Sequence, residues 1–352
     1  MRSILIIHRK QFGYHTDSFE LAKHLSADFK VSFICMDAGY NHFVVPNVNV
    51  QYVSSTGSYA KRTSRFIKAC VSVSKMEFDY RFMTYFRFCS LVKMFSQKKF
   101  VLDFRTGSVH KVAVRRFLDD MLRRISVLMF ERITVISEGL RRKLSIPKSK
   151  SYILPLGSNV LSSKPKVFKE PRLLYVGTFN NRRIEQTING VAAFIDKNPK
   201  YAQSLTYDIV GSGTQHEERA VFAAIEENDL KNNVLLHGRQ SHAQVQHLFD
   251  DCNIGVSYIP LTSYFDHQSP TKTFEYILAG QVCLATSTSE NRKYVTEVNG
   301  ILHKDNADDF AKGLSSLVEK FADYNSETIR QSLKEYTWTN IVESFKDYLL
   351  AC

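Results

Sequence analysis

The sequence predicts an α/β protein of two domains, each built around a parallel sheet. Its 352 residues exceed what one ordinary hydrophobic core accommodates. Short apolar runs typical of strands alternate with helical segments along most of the chain, which favours parallel sheets with right-handed crossovers. At residues 157–171 the alternation stops, and loop-forming residues with Pro165 and Pro171 indicate a linker.

Each half of the chain contains one alternating series. In the first half the predicted strands are 3–8, 30–35, 78–85, 100–104 and 133–136, and the predicted helices are 17–25, 89–95 and 109–130. In the second half the predicted strands are 172–176, 206–210, 233–237, 254–258 and 282–285, and the predicted helices are 184–194, 217–228, 243–250, 271–279, 307–321 and 339–350.

The composition is typical of a globular protein without a membrane anchor. Apolar residues make up 44% of the chain and charged residues 23%. No apolar run approaches the roughly 20 residues of a spanning helix, and the N-terminal run is too short for an export signal. We therefore expect a cytoplasmic protein. The six cysteines show no CxxC pair or zinc-ligand spacing, so reduced thiols are expected.

The net charge of +12 is concentrated in the first half. Residues 61–150 hold 22 lysines and arginines against 7 acidic residues, a local charge of about +15. An anionic partner fits this excess, whether nucleic acid, anionic lipid or a phosphorylated substrate, and a solvated basic surface is the plain alternative. No nucleic-acid-binding motif is present, so nucleic acid is not an expected partner.

Two turns in the second half have the composition of phosphate-binding loops. One contains Gly177 and Thr178, followed by Arg182 and Arg183, and the other is Ile209-Val-Gly211-Ser-Gly213. Backbone N–H groups where a helix begins attract phosphate, and arginine can bind a diphosphate through two hydrogen bonds. Open α/β sheets bind ligands at the carboxyl ends of their strands, where both turns would lie. Solvated turns with surface arginines are the alternative.

A third element is the helix predicted to begin near Pro270. Proline is well tolerated at the first helical position, and this helix start is again an anion site. Glu275, one turn further on, could accept hydrogen bonds from the vicinal hydroxyls of a ribose. An exposed helical glutamate without a ligand is the alternative for this residue taken alone.

The segment Ser269-Pro-Thr-Lys-Thr-Phe-Glu-Tyr-Ile-Leu-Ala-Gly280 resembles the donor-site segment of retaining glycosyltransferases of family 4. Val282-Cys-Leu-Ala-Thr286 and Glu290-Asn-Arg, which follow it, fit the same resemblance. The resemblance implies the GT-B architecture, α/β with two Rossmann-like domains whose parallel sheets face a central cleft. It implies an acceptor-binding domain at 1–160, a donor-binding domain at 170–330 and a C-terminal helix at 331–352 that crosses back to the first domain.

The resemblance also implies roles for individual residues. Glu275 would bind the nucleotide ribose, and Arg182 or Arg183 would neutralise the donor diphosphate. The other donor-binding candidates are Gly13, Gly177, Thr178, Gly211, Thr271 and Lys272. The family usually has a second glutamate eight positions before the ribose glutamate, but here that position is His267, with Asp266 beside it. Asp266 is the expected polar substitute, and an ordinary surface loop is the alternative.

In the first half, Asp103 and Arg105 lie at the end of a predicted strand, where the family has active-site polar residues. Asp103 could orient the acceptor hydroxyl and Arg105 could hold an acceptor phosphate or the leaving group, unless they form a purely structural pair. No metal or cofactor is expected, because the adjacent aspartates at 119–120 and 250–251 lie in predicted helices, where neighbouring side chains diverge.

The expected activity is transfer of a sugar, with retention, from a nucleotide-diphosphate sugar to a glycan or polyprenyl-diphosphate-linked acceptor in surface polysaccharide synthesis. Two alternatives are a sugar-nucleotide epimerase of the same architecture and a catalytically inactive GT-B subunit, the latter suggested by His267. The basic, aromatic-rich stretch 59–99 could lie against an anionic bilayer, which would make the protein peripheral on the inner face of the cell membrane.

Overall fold

The computed structural model describes residues 1–108, 110, 112–267 and 271–351, with the backbone alone at residues 242 and 243. The chain divides into two compact units, the first formed by Met1–Leu156 with Trp338–Cys352 and the second by Gly157–Thr337. The C-terminal segment thus joins the first unit at Trp338, later than position 331. Residues before it stay with the second unit, where Leu333 is buried and Ser332 accepts a hydrogen bond from the Asn299 amide.

The first unit is built on a seven-stranded sheet of order β3-β2-β1-β4-β5-β6-β7, in which every pairing is parallel. Its central strand β1 is apolar and fully buried at Ile4–Ile7, as expected for a sheet covered on both faces. The strands are β1 (Arg2–Ile7), β2 (Phe29–Asp37), β3 (Val48–Ser54), β4 (Tyr80–Thr84), β5 (Val101–Phe104), β6 (Arg132–Val135) and β7 (Ser151–Ile153).

Helices connect these strands and cover both faces of the sheet. They are α1 (Thr16–Leu25), α2 (Tyr59–Ser74), α3 (Cys89–Ser96), α4 (Ala113–Met129) and α5 (Glu138–Lys143), and the C-terminal segment adds α13 (Trp338–Leu350). The connections through α2, α3 and α4 all run in the same direction across the sheet, so right-handed crossovers place these three helices on one face. Helix α13 packs beside α1, and its Phe345 ring lies 5.3 Å from that of Phe82.

The second unit is built on a six-stranded sheet of order β10-β9-β8-β11-β12-β13, again entirely parallel. The strands are β8 (Arg172–Val176), β9 (Thr206–Val210), β10 (Val234–Gly238), β11 (Ile254–Ser257), β12 (Val282–Thr286) and β13 (Gly300–His303). The helices are α6 (Glu185–Lys197), α7 (Gln215–Glu227), α8 (His242–Asp251), α9 (Thr271–Leu278), α10 (Asn291–Tyr294), α11 (Ala307–Glu319) and α12 (Ser326–Gln331).

Each sheet has one point where the strand order reverses. In the first unit it lies between β1 and β4, and in the second between β8 and β11. The loops that follow the two central strands diverge there and leave a crevice at the carboxyl ends, the usual ligand position in open α/β sheets.

The sequence predictions missed several elements. Strand β3 and helix α2 were not predicted, although α2 lies within the basic stretch 59–99, and the short strands β7 and β13 were missed as well. The helix predicted over 109–130 begins at Ala113, and positions 109 and 111 lie outside the described residues. The predicted linker has no helix or long strand but is anchored to the second unit, because the Lys166 backbone donates to the Ser326 hydroxyl at 2.7 Å. Among the described residues, none of the helices combines the length and hydropathy needed to cross a bilayer.

Candidate functional site

The turn after β8 brings a glycine to the carboxyl end of the central strand of the second unit. The Gly177 N–H donates to the Val210 carbonyl at 2.9 Å, which extends the β8–β9 ladder by one bond. The Thr178 hydroxyl accepts from the Asn180 N–H at 3.1 Å, and the Thr178 carbonyl accepts from the Tyr175 hydroxyl at 2.7 Å. These bonds hold the turn in one shape and leave its outer side open.

The second turn, after β9, packs directly against the first. Gly211 has a φ of +149°, and a Cβ at this position would lie 1.8 Å from the Gly177 carbonyl oxygen. Only glycine fits such an approach. The Gly211 N–H donates to the Gly238 carbonyl at 2.8 Å, so the loops after β8, β9 and β10 form one continuous edge. The sequence analysis predicted that both turns lie at the carboxyl ends of strands, and in the structure Gly177 and Gly211 are in contact.

Helix α9 carries the predicted donor-binding residues Thr271, Lys272 and Glu275 on its first turns. Ser269 and Pro270 of the predicted motif lie outside the described residues. The helix is tied to β8 through Tyr276, whose buried hydroxyl accepts a hydrogen bond from the Val176 N–H at 2.8 Å. This bond fixes the first turns of α9 beside the turn at Gly177.

Two cationic side chains, those of Lys272 and Arg182, lie at this edge of the sheet. The Lys272 Nζ lies 3.9 Å from the centre of the Tyr175 ring and 3.0 Å from the position of a Cβ on Gly177. The Arg182 guanidinium lies 4.1 Å from the centre of the Phe265 ring. Within the described part of the chain, neither Lys272 Nζ nor Arg182 Nη1 has a hydrogen-bond partner, and both atoms are buried.

The electrostatic environment of these cations is unfavourable without an anion. Burial, together with the neighbouring charge of Arg182, lowers the pKa of Lys272 well below its usual value. Glu275 opposes this shift, so its carboxylate lies close enough to act on the ammonium group. Burial also lowers the pKa of Arg182. Desolvated cations held over aromatic rings constitute a ready site for a multiply charged anion.

The two arginines considered for the diphosphate differ in position. Arg182 is half-buried beside Phe265, whereas Arg183 is exposed, has a φ of +56° and lies 3.8 Å from Asp305. The sequence could not distinguish them because they are adjacent. The structure places Arg182 with Lys272 and directs Arg183 towards a carboxylate.

The loop that should contact the donor sugar is anchored by Asp266. Its two carboxylate oxygens accept hydrogen bonds from the Ser289 N–H at 2.8 Å and the Ser289 hydroxyl at 2.5 Å. Burial alone would raise the pKa of Asp266, but these hydrogen bonds hold it below its usual value. His267 Nδ1 lies 3.7 Å from the same carboxylate. Asp266 therefore joins two loops, and its negative charge is present at neutral pH.

In the first unit, Asp103 and Arg105 meet at the carboxyl end of β5. Asp103 accepts a hydrogen bond from the Thr134 hydroxyl at 2.7 Å, and its other oxygen lies 3.7 Å from Arg105 Nε. Arg105 donates to Asp17 at 2.9 Å and to the Leu154 carbonyl at 2.8 Å. Burial raises the pKa of Asp103 to about 6, against the opposing effect of Arg105 and Thr134. The pair forms a buried network at the edge of the sheet.

The loop after β1 contains Gly13 and a histidine pair that the sequence analysis did not single out. Gly13 has a φ of +90°, and a Cβ there would lie 2.1 Å from the Phe43 ring, so packing alone requires glycine. The rings of His8 and His15 lie 4.5 Å apart. Burial and the neighbouring His15 lower the pKa of His8 to about 3, so His8 is neutral at physiological pH.

Side chains that can bind metals are not clustered in the part of the chain that the structure describes. It contains no group of three or more His, Cys, Asp or Glu side chains arranged to hold a metal ion. The aspartates at 119 and 120 instead accept hydrogen bonds from Arg87 and from the Ser108 N–H.

The sequence of the second unit matches the model of a known protein family. The model described as Glycosyl transferases group 1 matches residues 161–336, which is half of the chain and nearly all of the second unit. The chain belongs to this family. No curated protein matches it by overall sequence search.

Solved structures resemble this group 1 glycosyltransferase over its whole length. Sucrose-phosphate synthase from Thermosynechococcus elongatus is 16% identical with a TM-score of 0.75, covering 100% of both chains. HepE from Anabaena, in complex with UDP and glucose, is 11% identical with a TM-score of 0.76, covering 100% of both. The lipopolysaccharide outer core galactosyltransferase WaaB is 14% identical with a TM-score of 0.72, covering 100% of this chain and 99% of that one. At these identities the similarity shows the fold, and the predicted α/β class of GT-B type is confirmed.

The sequence analysis did not identify the aromatic residues that contact the predicted site residues or anchor their helix. Tyr175, Phe265 and Tyr276 place and desolvate the charged side chains of this glycosyltransferase, but an aromatic residue in a sequence is more often part of the core than of a site. Tyr276 had one signal, since it follows Glu275 inside the motif.

Proposed function

We propose that the second unit binds the diphosphate of a nucleotide-sugar donor between Arg182 and Lys272. The observation that carries this proposal is the convergence of these two buried cations, whose inward-pointing atoms lack partners in the described structure. A diphosphate supplies the missing negative charge and several hydrogen-bond acceptors at once. It would also reverse the depression of the Lys272 pKa, so binding energy comes from relief of an existing repulsion.

The other groups of the donor are assigned to residues near the same edge of the sheet. The turns at Gly177, Thr178 and Gly211 let the backbone approach the phosphates, and Thr271 lies at the first residue of α9. Glu275 is half-buried one helical turn further on, and we assign it to the ribose hydroxyls. Asp266 and His267 are assigned to the sugar, and Gly13 remains a donor-binding candidate.

We propose that the reaction retains the configuration of the sugar. The bond between the anomeric carbon and the diphosphate oxygen breaks, and a bond to the acceptor oxygen forms on the same face. The acceptor's proton passes to the departing diphosphate, so no protein base is required. Arg182 and Lys272 stabilise the charge that develops on the leaving group, which makes a metal or cofactor unnecessary in this proposal.

The acceptor is assigned to the first unit, where Asp103 and Arg105 lie at the carboxyl end of β5. Because three Arg105 nitrogens donate to Asp17 and to the carbonyls of Leu154 and Pro155, we assign Arg105 to positioning of Asp103 and of the loop after β5. WaaB is named as a lipopolysaccharide galactosyltransferase, which supports a glycan or polyprenyl-diphosphate-linked acceptor and a role in surface polysaccharide synthesis. The reaction would take place in the cytoplasm, at the inner face of the cell membrane.

UDP is the first nucleotide to test, because HepE is described in complexes with UDP, with UDP and glucose, and with UDP-glucose. Calorimetric titration with UDP, GDP and ADP should show that one of them binds. Arg182→Met should weaken its binding by about tenfold or more, because a charged hydrogen bond to the diphosphate is lost. Arg219→Met, at an exposed arginine of α7, is the matched control and should bind normally.

Transfer of sugar from a radiolabelled donor to lipid-linked acceptors then separates the rival functions. Nucleotide binding without transfer, unchanged by His267→Glu, would favour the inactive subunit. Interconversion of the free donor would indicate an epimerase. If none of the nucleotides binds, the proposal is overturned.

A further inference from the structure

Helix α4 presents an apolar stripe to solvent along its whole length. The 17-residue helix is about 25 Å long. Residues three or four positions apart share a face of a helix, and here that exposed face is apolar. Phe117 is 64% exposed and Leu128 81% exposed, and the stripe is completed by Val114, Leu118, Met121 and Ile125. A stripe of this length exceeds the scattered apolar residues of an ordinary surface.

The stripe is flanked by cations, and of the two acidic residues of α4 Asp120 is buried and Asp119 is paired with an arginine. Arg115 and Arg124 are exposed, and neither forms an ion pair with a carboxylate among the described residues. Asp119 lies 3.0 Å from Arg87, and Asp120 is buried, where it accepts a hydrogen bond from the Ser108 N–H at 2.9 Å. The solvent-facing side therefore combines apolar and positive groups.

A groove lies beside this stripe on the same face of the sheet, between α2 and α3. It has a volume of about 1020 Å³ and is lined by apolar side chains that include Ile67, Val71 and Leu91, with Lys68 and Lys75 among the lining residues. Phe88 and Phe95, at the two ends of α3, are exposed and line it too. Helix α3 joins the two features, since its Ser90 hydroxyl donates to Ser126 of α4.

We propose that this face, made of the α4 stripe and the α2–α3 groove, docks onto an anionic lipid bilayer. An interfacial helix needs an apolar face bordered by arginine or lysine, which is the arrangement of α4. A long apolar groove that includes lysines suits a lipid chain whose anionic headgroup stays at the surface. Helix α2 contributes Lys68 to the lining of the groove, Lys75 directly follows the helix there, and α2 contains no acidic residue. Because two such surfaces repel each other, a second copy of the chain is a poor occupant.

Co-flotation with vesicles tests this docking surface directly. The full-length protein should float with vesicles of phosphatidylcholine and phosphatidylglycerol, weakly or not at all with phosphatidylcholine alone, and less at high salt. Phe117→Ser combined with Leu128→Ser should reduce the bound fraction by about tenfold, because the inserted apolar area is lost. Lys68→Glu combined with Lys75→Glu should remove the preference for the anionic vesicles.

The matched control is Phe222→Ser, which removes an exposed phenylalanine from α7 of the second unit and should leave flotation unchanged. All substituted residues are exposed or line the open groove, and unchanged circular dichroism confirms folding. Loss of self-association in the Phe117 and Leu128 variant, without any lipid effect, would overturn the proposal in favour of an interface between copies. Failure of the wild-type protein to float with anionic vesicles would also overturn the proposal. Flotation needs no nucleotide, so its result is independent of the proposed donor site.

Discussion

The Tyr276 hydroxyl accepts a hydrogen bond from the Val176 N–H at 2.8 Å, which joins the helix of the donor motif to the end of the central strand of the second unit. This bond sets the distance between Glu275 on one side and Gly177 on the other. A shift of α9 would separate the groups assigned to the ribose and to the phosphates.

Tyr276→Phe should therefore lower both the stability and the nucleotide affinity of the second unit. The substitution leaves the part-buried Val176 N–H without its acceptor, which costs about 1–3 kcal/mol of unfolding free energy. Tyr324→Phe is the matched control, because the described structure gives its buried hydroxyl no partner, and we expect little change. Chemical unfolding followed by circular dichroism, with UDP calorimetry, measures both effects. Equal losses in the two variants would contradict the role given to the Tyr276 hydroxyl.

Gly211→Ala should disrupt the contact between the two phosphate turns. The added Cβ meets the Gly177 carbonyl oxygen, so we expect a loss of about 3 kcal/mol or more in unfolding free energy, together with weaker UDP binding. Gly238→Ala separates backbone strain from the clash. Gly238 also has a positive φ, of +63°, but its Cβ would meet nothing within 4 Å. It should lose only about 1–2 kcal/mol. Similar losses at both positions would show that contact with Gly177 is unimportant.

The sequence predicted these turns because glycine and proline mark loops whatever the tertiary structure is. Strands β8, β9, β11 and β12 of the second unit were also predictable, since the short apolar runs that predicted them are mostly buried on both faces of the sheet. Strand β3 was missed because its residues alternate between half-buried and exposed, with Asn49 and Gln51 in its centre. The network of Arg105 could not be foreseen, because Asp17 and Leu154 approach it only in the folded chain.

The burial of Lys272 was also beyond the sequence. Lysine is almost always exposed, and no local pattern indicates an aromatic ring beneath its ammonium group. Tyr175 supplies that ring from a strand nearly a hundred positions earlier in the chain. Candidate ligands could thus be predicted from residue types and motifs, but their desolvation depends on tertiary packing.

Lys272→Met should stabilise the second unit while abolishing tight nucleotide binding. Lysine has a pKa of about 10.4 in an unfolded chain, and the folded value lies well below it. Between these values the unfolded chain binds more protons, so the wild-type unfolding free energy rises as the pH rises. At neutral pH the variant should be more stable by about 1–3 kcal/mol, because a desolvated amine without a hydrogen-bond partner among the described residues is removed. The difference should shrink towards alkaline pH.

Nucleotide binding should be coupled to the same proton. A bound diphosphate raises the Lys272 pKa, so UDP binding should take up protons at a pH above the lowered value and below the ordinary one. Calorimetry in buffers of different ionisation enthalpy measures this uptake. Lys272→Met should show no proton uptake with any residual binding, because it lacks the titrating amine. Arg182→Met retains Lys272, so its weak residual binding should still be proton-linked. Proton release in the wild type would contradict the assignment.

Asp103→Asn should change the pH dependence of the first unit. Burial raises the Asp103 pKa to about 6, above the value of about 3.9 in an unfolded chain. Between those values the folded state binds more protons, so the Asp103 contribution to stability falls as the pH rises from about 4 to 6. Asparagine can still accept from Thr134 but does not titrate. The wild type should therefore lose about 2 kcal/mol relative to the variant across this window.

The fluorescence of Trp338 can follow that change in the first unit alone. It is the only tryptophan of the chain, it is 2% exposed, and it belongs to the first unit through α13. Urea unfolding at several pH values, monitored by this signal, gives the difference between wild type and Asp103→Asn. Thr134→Val provides a second measurement, since loss of its hydrogen bond should raise the Asp103 pKa further and move the transition to higher pH. A pH-independent difference between wild type and Asp103→Asn would show that Asp103 does not titrate in this range.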